Sequence, residues 1–198
     1  MSLPSKFISS HVLNKGHTSM DLYLDFVCPF SAKAWKVLST QVFPMITKDE
    51  IPISVIFRHV PHPYHPTSPL THEAAIAVAL IDPTKFYDFC TVLFDHQKEF
   101  FDEATYHESR HQTYERLADL AHTTVGVDKG KVMEKLTVNM SKPNGGNAVT
   151  ADLMYFIRFH RQNALRVTPS AAFNGVYELG VSSSWDADQW RNAITAQL

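Results

Sequence analysis

The period of the hydrophobic pattern changes along the chain, and each change marks an element. Leu22, Leu24 and Phe26 alternate with Tyr23 and Asp25, which is the period of a strand. Pro29 follows where a first helical turn tolerates it. From 31 to about 47, Ala34, Val37, Leu38 and Val42 recur at helical spacing. Residues 51–60 are β-branched and apolar, a second strand, closed by Pro61, Pro63 and Pro66. Ser68-Pro69 reads as cap plus first-turn proline for an alanine-rich helix ending near Ile81. A helix opened by Pro83 places Phe86, Cys90, Leu93 and Phe94 on one face. Tyr114, Leu117, Leu120 and Ala121 mark another, and Asp128 caps a further one with Val132 and Leu136 inward. Asn144-Gly145-Gly146 is a break, after which Asn147 can cap a long helix through Leu165. Residues 171–173 and 176–179 read as strands around the turn Asn174-Gly175. Ser184 or Asp186 caps a last helix carrying Trp190 and Ile194.

The first two strands are joined by a helix, so they should run parallel with a right-handed crossover. The last two are joined by a tight turn and should be antiparallel. The expected fold is α/β, a mixed sheet of about four strands with a helical block inserted in its middle. Residues 1–66 form the first part of the sheet domain, 67–146 the helical insertion and 147–198 the second part. The 198 residues, 44% hydrophobic and 19% charged, suffice for one domain with a real core. A net charge of −2 gives no basic footprint for nucleic acid. Nothing approaches the length of a membrane span. The segment 1–10 lacks the apolar run of a signal peptide. With only two cysteines, Cys28 and Cys90, the chain does not read as a disulfide-stapled secreted domain. The expected location is cytoplasmic. The terminal Ala196-Gln197-Leu198 is at best a distant echo of a peroxisomal address.

Candidate chemistry lies at the first strand–helix junction, Asp25-Phe26-Val27-Cys28-Pro29-Phe30-Ser31. A sulfur at a helix amino end meets free N–H groups and the positive end of the helix dipole, which favour the thiolate. Ser31, one turn on, can donate its hydroxyl to that sulfur. The other reading is a small buried hydrophobe at a strand end. A second element supports the first: Val167-Thr168-Pro169, before a strand ending in Asn174-Gly175.

Together these elements resemble the thioredoxin superfamily, and the large helical insertion resembles its DsbA-like branch. That branch also holds kappa-class glutathione transferases and 2-hydroxychromene-2-carboxylate isomerases. The runs Arg58-His59-Val60-Pro61-His62-Pro63-Tyr64-His65-Pro66 and Thr71-His72-Glu73-Ala74-Ala75 resemble uncharacterised members of it. The resemblance covers about residues 20 to 195. It implies Cys28 and Ser31 as the catalytic positions and Pro29, Phe30, Thr168 and Pro169 as substrate contacts. It also implies a cis Pro169 facing the cysteine, with the Thr168 backbone pairing with an extended thiol substrate or with glutathione. A dithiol enzyme carries a second cysteine where this chain has Ser31, so a mixed disulfide at Cys28 has no neighbouring thiol to resolve it. Kappa-class transferases carry serine at the first motif position, so the chain matches neither subgroup cleanly.

The end of the second strand should lie beside Cys28, which makes His59 and His62 further candidates; surface histidines in a proline-rich loop are the alternative. His59, His62 and His65 do not suggest a metal site, because the prolines break the helix their spacing would need. Asp25 reads either as a buried acid near the motif or as the outward member of the alternation. Asp186 and Asp188 could hold the amino group of a glutathione γ-glutamyl unit, or serve only as helix caps. The expected activity is thiol–disulfide exchange through Cys28 alone, with an external thiol such as glutathione as co-substrate and no tightly bound cofactor. A glutathione-dependent transferase or isomerase and a non-catalytic binding module remain open. The partners are thiol or disulfide substrates, not nucleic acid or membrane. Oligomeric state is not legible.

Overall fold

The computed structural model describes residues 3–198, so the first two residues of the segment read above for a signal lie outside it. In chain order the elements are α1 (Ile8–His11), β1 (Val12–Leu13), β2 (Thr18–Leu24), α2 (Pro29–Val37), α3 (Phe43–Lys48), β3 (Ile53–His59), α4 (Ser68–Ile81), α5 (Phe86–Asp95), α6 (Asp102–Thr105), α7 (Arg110–Val125), α8 (Lys129–Leu136), α9 (Thr150–Gln162), β4 (Ser170–Phe173), β5 (Val176–Tyr177) and α10 (Ala187–Thr195). The sheet has five strands in the order β1-β3-β2-β4-β5. β2 and β3 are parallel, with Leu22 opposite Phe57 and Leu24 opposite His59. β4 runs antiparallel to β2 and β5 antiparallel to β4. The extra strand is β1, whose two residues pair antiparallel with β3; so short a strand leaves no alternation to read. Asn174 and Gly175 both take positive φ (50° and 85°), the tight hairpin turn their sequence favours.

Several boundaries shift for physical reasons. The predicted helix over 31–47 is interrupted by a π-helical turn, Leu38–Val42. Pro44 has no N–H for the Thr40 carbonyl, and the widened turn absorbs that missing bond. The first strand ends at Leu24 rather than Phe26, because residues 25–28 form a turn closed by Cys28 N–H on the Asp25 carbonyl. Ser68 does not cap α4. It is the helix's first residue, and its hydroxyl goes elsewhere. Asn147 does not open α9 directly: its side chain bonds Val149 N–H, the helix begins at Thr150 and it stops at Gln162, short of Leu165. Asp186, not Ser184, caps α10 in a reciprocal capping box with Gln189.

One apolar core fills the space between a face of the sheet and the helices. Leu22, Leu24 and Phe57 meet Trp35 of α2, the alanine row of α4, and Phe86 and Phe89 of α5. The helices between β3 and β4 supply Leu117, Val132 and Phe156 to the same core. Among the described residues no helix is long and apolar enough to cross a membrane.

Candidate active site

Cys28 stands where β2 has ended and α2 begins. Its N–H donates to the Asp25 carbonyl (3.1 Å), and its own carbonyl accepts from Ala32 in the first turn of α2 (3.1 Å). The residue is therefore the N-cap of α2, with Pro29 at the first helical position. The sulfur makes no capping bond to α2. It donates instead to the carbonyl oxygen of Thr168, 3.5 Å away. The Thr168–Pro169 peptide is cis. Cys28 is only 6% exposed.

The expected Ser31–sulfur bond is not the one formed. Ser31 is fully buried, and its hydroxyl oxygen accepts from the backbone N–H of Asp25 (3.3 Å), bracing the turn. His62 does reach the site: its Nε2 lies 3.1 Å from the Thr168 hydroxyl, and its ring stacks on Tyr64. His59 does not. It is the last residue of β3 and points into the core with no exposed surface, so it is out of reach of substrate. Asp186 is used as a cap, its carboxylate accepting from Gln189 N–H. Cys90 is buried on α5, and burial pushes its thiol well above its ordinary value.

Asp25 is fully buried, past the end of the strand rather than outward from it. Its Oδ1 accepts from the Ser68 hydroxyl (2.6 Å) and from Val27 N–H (3.1 Å), and its Oδ2 pairs with His65 Nδ1 (2.8 Å). His72 Nε2 lies 3.5 Å from Oδ1 at ion-pair distance but outside hydrogen-bond geometry. Burial pushes the Asp25 pKa upward, but His72, Ser68 and His65 outweigh it and hold the carboxyl well below the usual carboxylate range.

Other supports of the site come from the helical insertion, and no motif announced them. Gln97 donates its side-chain amide to the carbonyls of Phe26 (3.0 Å) and Cys28 (3.3 Å), fixing the turn from the far side. Thr67 donates to the Phe100 carbonyl. Around the sulfur the surface is apolar and open: Phe30 is 63% exposed, Tyr64 65% and Val167 65%. A shallow pocket of about 190 Å³ adjoins it, lined by Val27, Pro29, His65, Phe101, Asp102 and Glu103. A larger cavity of about 500 Å³ is lined by Asp21, Tyr23, Arg58 and Phe159, on the sheet face away from α2, and includes none of the residues around Cys28. No group of His, Cys, Asp and Glu among the described residues is arranged to hold a metal ion.

Solved structures share this architecture from end to end. A Pseudomonas syringae protein provisionally assigned as a protein-disulfide isomerase superposes with a TM-score of 0.75 at 19% identity, covering 93% of this chain and 97% of its own. The thiol-disulfide exchange protein α-DsbA2 from Wolbachia pipientis gives 0.69 at 16% identity, over 98% of this chain and 90% of its own. Oxidised BdbD from Bacillus subtilis gives 0.65 at 22% identity, over 96% and 92%. The chain has the DsbA-like thioredoxin fold. Neither a protein-family model nor a curated protein matches the sequence. The DsbA-like fold explains why Cys28 and Thr168, 140 residues apart in sequence, meet: β2 and β4 are antiparallel neighbours, so the end of one lies beside the start of the other.

Proposed function

We propose that the protein is an enzyme of thiol–disulfide exchange that uses Cys28 as its only reacting cysteine. The observation that carries this reading is the Cys28 sulfur against the Thr168 carbonyl, at the N-cap of α2 and inside an exposed apolar rim. That setting suits an extended, partly apolar substrate laid beside Thr168. The Cys28 proton passes to solvent and the thiolate attacks a substrate disulfide. A Cys28–sulfur bond forms as the substrate bond breaks, and the leaving thiolate takes a proton from water. Ser31 cannot open this mixed disulfide, and Cys90 is locked in the core. A second, external thiol such as glutathione therefore attacks the substrate's sulfur and releases Cys28. Phe30, Tyr64 and Val167 supply contact area, and His62 holds the Thr168 side chain.

Intact mass after incubation with oxidised glutathione tests the first half. One glutathione adduct is expected on the native protein and on Cys90→Ser, and none on Cys28→Ser. No adduct on native protein sinks the exchange reading and leaves a thioredoxin-fold binding module. Catalysis by Cys28→Ser of a glutathione conjugation would instead favour the transferase.

A further inference from the structure

Behind the thiol site runs a buried line of imidazoles that the exchange reaction does not itself require. His11, His59 and His72 come from α1, β3 and α4, and none of the three has exposed surface. The Ser10 hydroxyl lies 2.8 Å from His11 Nδ1 and 3.3 Å from the Phe7 carbonyl. His11 Nε2 lies 2.9 Å from His59 Nε2, and His59 Nδ1 lies 2.7 Å from His72 Nδ1. His72 Nε2 then faces Asp25 Oδ1 at 3.5 Å. Phe86 and Phe156 stack on His11 and wall the line in.

Counting hydrogens limits what this line can be. A neutral imidazole carries one N–H. Each short nitrogen–nitrogen contact holds a single hydrogen, since two would clash and none would leave facing lone pairs. Burial holds all of these rings neutral, each below its ordinary value, with Arg58 adding to the effect at His11 and neighbouring rings adding at His59; at His72 burial outweighs the pull of Asp25. Two of the three hydrogens fill the two contacts, and the third sits at one end. If it is on His72 Nε2, it faces Asp25, and Ser10 donates to His11. If it is on His11 Nδ1, it donates to Ser10, whose hydroxyl turns to the Phe7 carbonyl. Every ring differs between these two arrangements, so no ring can change alone.

We propose that His72, His59 and His11 are positioning residues for Asp25, a single tautomeric chain whose direction is set by the acceptor oxygen of that side chain. With Asp25 ionised, the chain points its N–H groups toward it. Asp25 lies one turn before Cys28 and is bonded to it through the backbone. Resting on the exchange reading, the chain therefore helps to hold a fixed negative charge behind the sulfur.

The test is nitrogen NMR of the full chain labelled in its histidines, at pH 7. Native protein is expected to carry hydrogens on His72 Nε2, His59 Nδ1 and His11 Nε2. Asp25→Ala removes the acceptor and is expected to reverse all three rings, including His11, which Asp25 does not touch. Asp25→Asn keeps an oxygen acceptor without the charge and should retain the native pattern, which separates loss of the acceptor from loss of the fold. A doubly protonated ring at pH 7, the opposite pattern in native protein, or a change in Asp25→Ala confined to His72 would overturn the proposal. The readout does not involve Cys28. An inert Cys28 with a reversing chain would defeat the exchange reading alone.

Discussion

Lowering the pH from 7.5 to 5.5 is expected to remove about 4 kcal/mol of stability, and three buried histidines set that figure. Burial holds His11 and His59 neutral, and burial, with neighbouring Arg161, His62 and His72, brings His160 down to about 4. In the unfolded chain each titrates near its ordinary value of about 6.5. A base whose pKa is lowered on folding binds more protons when unfolded, so stability rises with pH through that value and is lost below it. Each ring kept neutral then costs about 1.4 kcal/mol between pH 7.5 and 5.5. Asp25 adds nothing in this window. Its pKa is lowered on folding, so its contribution is intact above about 3.9 and is lost only at lower pH. Domains are stable by about 5–15 kcal/mol, so the loss is a large share of the total. With a urea slope of about 2–3 kcal/mol/M, the unfolding midpoint should fall by about 2 M. Fluorescence of the buried Trp35 and Trp190 follows the transition. His160→Phe removes a ring whose two nitrogens have no hydrogen-bond partner among the described residues, and should cut the pH-dependent loss by about 1.4 kcal/mol. A native midpoint that moves by less than about 0.5 M, a single histidine's worth, would refute the claim that the line is neutral.

Ser31→Cys should allow a reversible disulfide with Cys28 under mild oxidant, seen as loss of the two thiol hydrogens by mass; it costs about 1 kcal/mol through the lost bond to Asp25 N–H. A variant that stays reduced would show that the two side chains do not meet. Tyr64→Ser and Val167→Ser should slow capture of an apolar disulfide peptide several-fold while leaving oxidised glutathione nearly unaffected, because the exposed rim contributes contact area rather than chemistry. Equal slowing of both substrates would count against a docking role. Cys90 should resist alkylation in the native protein and react only in denaturant, because burial both hides it and disfavours its thiolate.

Much of the fold was legible because its signals are local. The alternation before Cys28, the apolar run into β3 and the Asn174-Gly175 turn each state their own conformation. The meeting of Cys28 with Thr168 was legible only through resemblance, since spacing alone cannot place residues from β2 and β4 side by side. The polar interior was the hardest to read. Ser68 looks like a cap because a serine precedes Pro69, yet Asp25 competes for its hydroxyl, and a buried carboxylate is the stronger acceptor. His59 sits among apolar residues at a strand end, where sequence does not distinguish a substrate contact from a core imidazole. His11 carries no motif, and the run holding His72 resembles family members without assigning that histidine a role. Their only other sequence signal is a histidine on an otherwise apolar helix face and another beside a strand too short to show a period. Gln97 lies in the insertion, and nothing near it marks it as a brace for the Cys28 turn.

Turnover of a glutathione-blocked protein tests the central claim most directly. Native protein carrying one glutathione on Cys28 is mixed with reduced glutathione and a disulfide peptide, and free peptide thiol is followed over time. The account predicts repeated turnover that depends on glutathione, is absent in Cys28→Ser and is unchanged in Cys90→Ser. A blocked Cys28 that glutathione does not release, or turnover that survives Cys28→Ser, would contradict it.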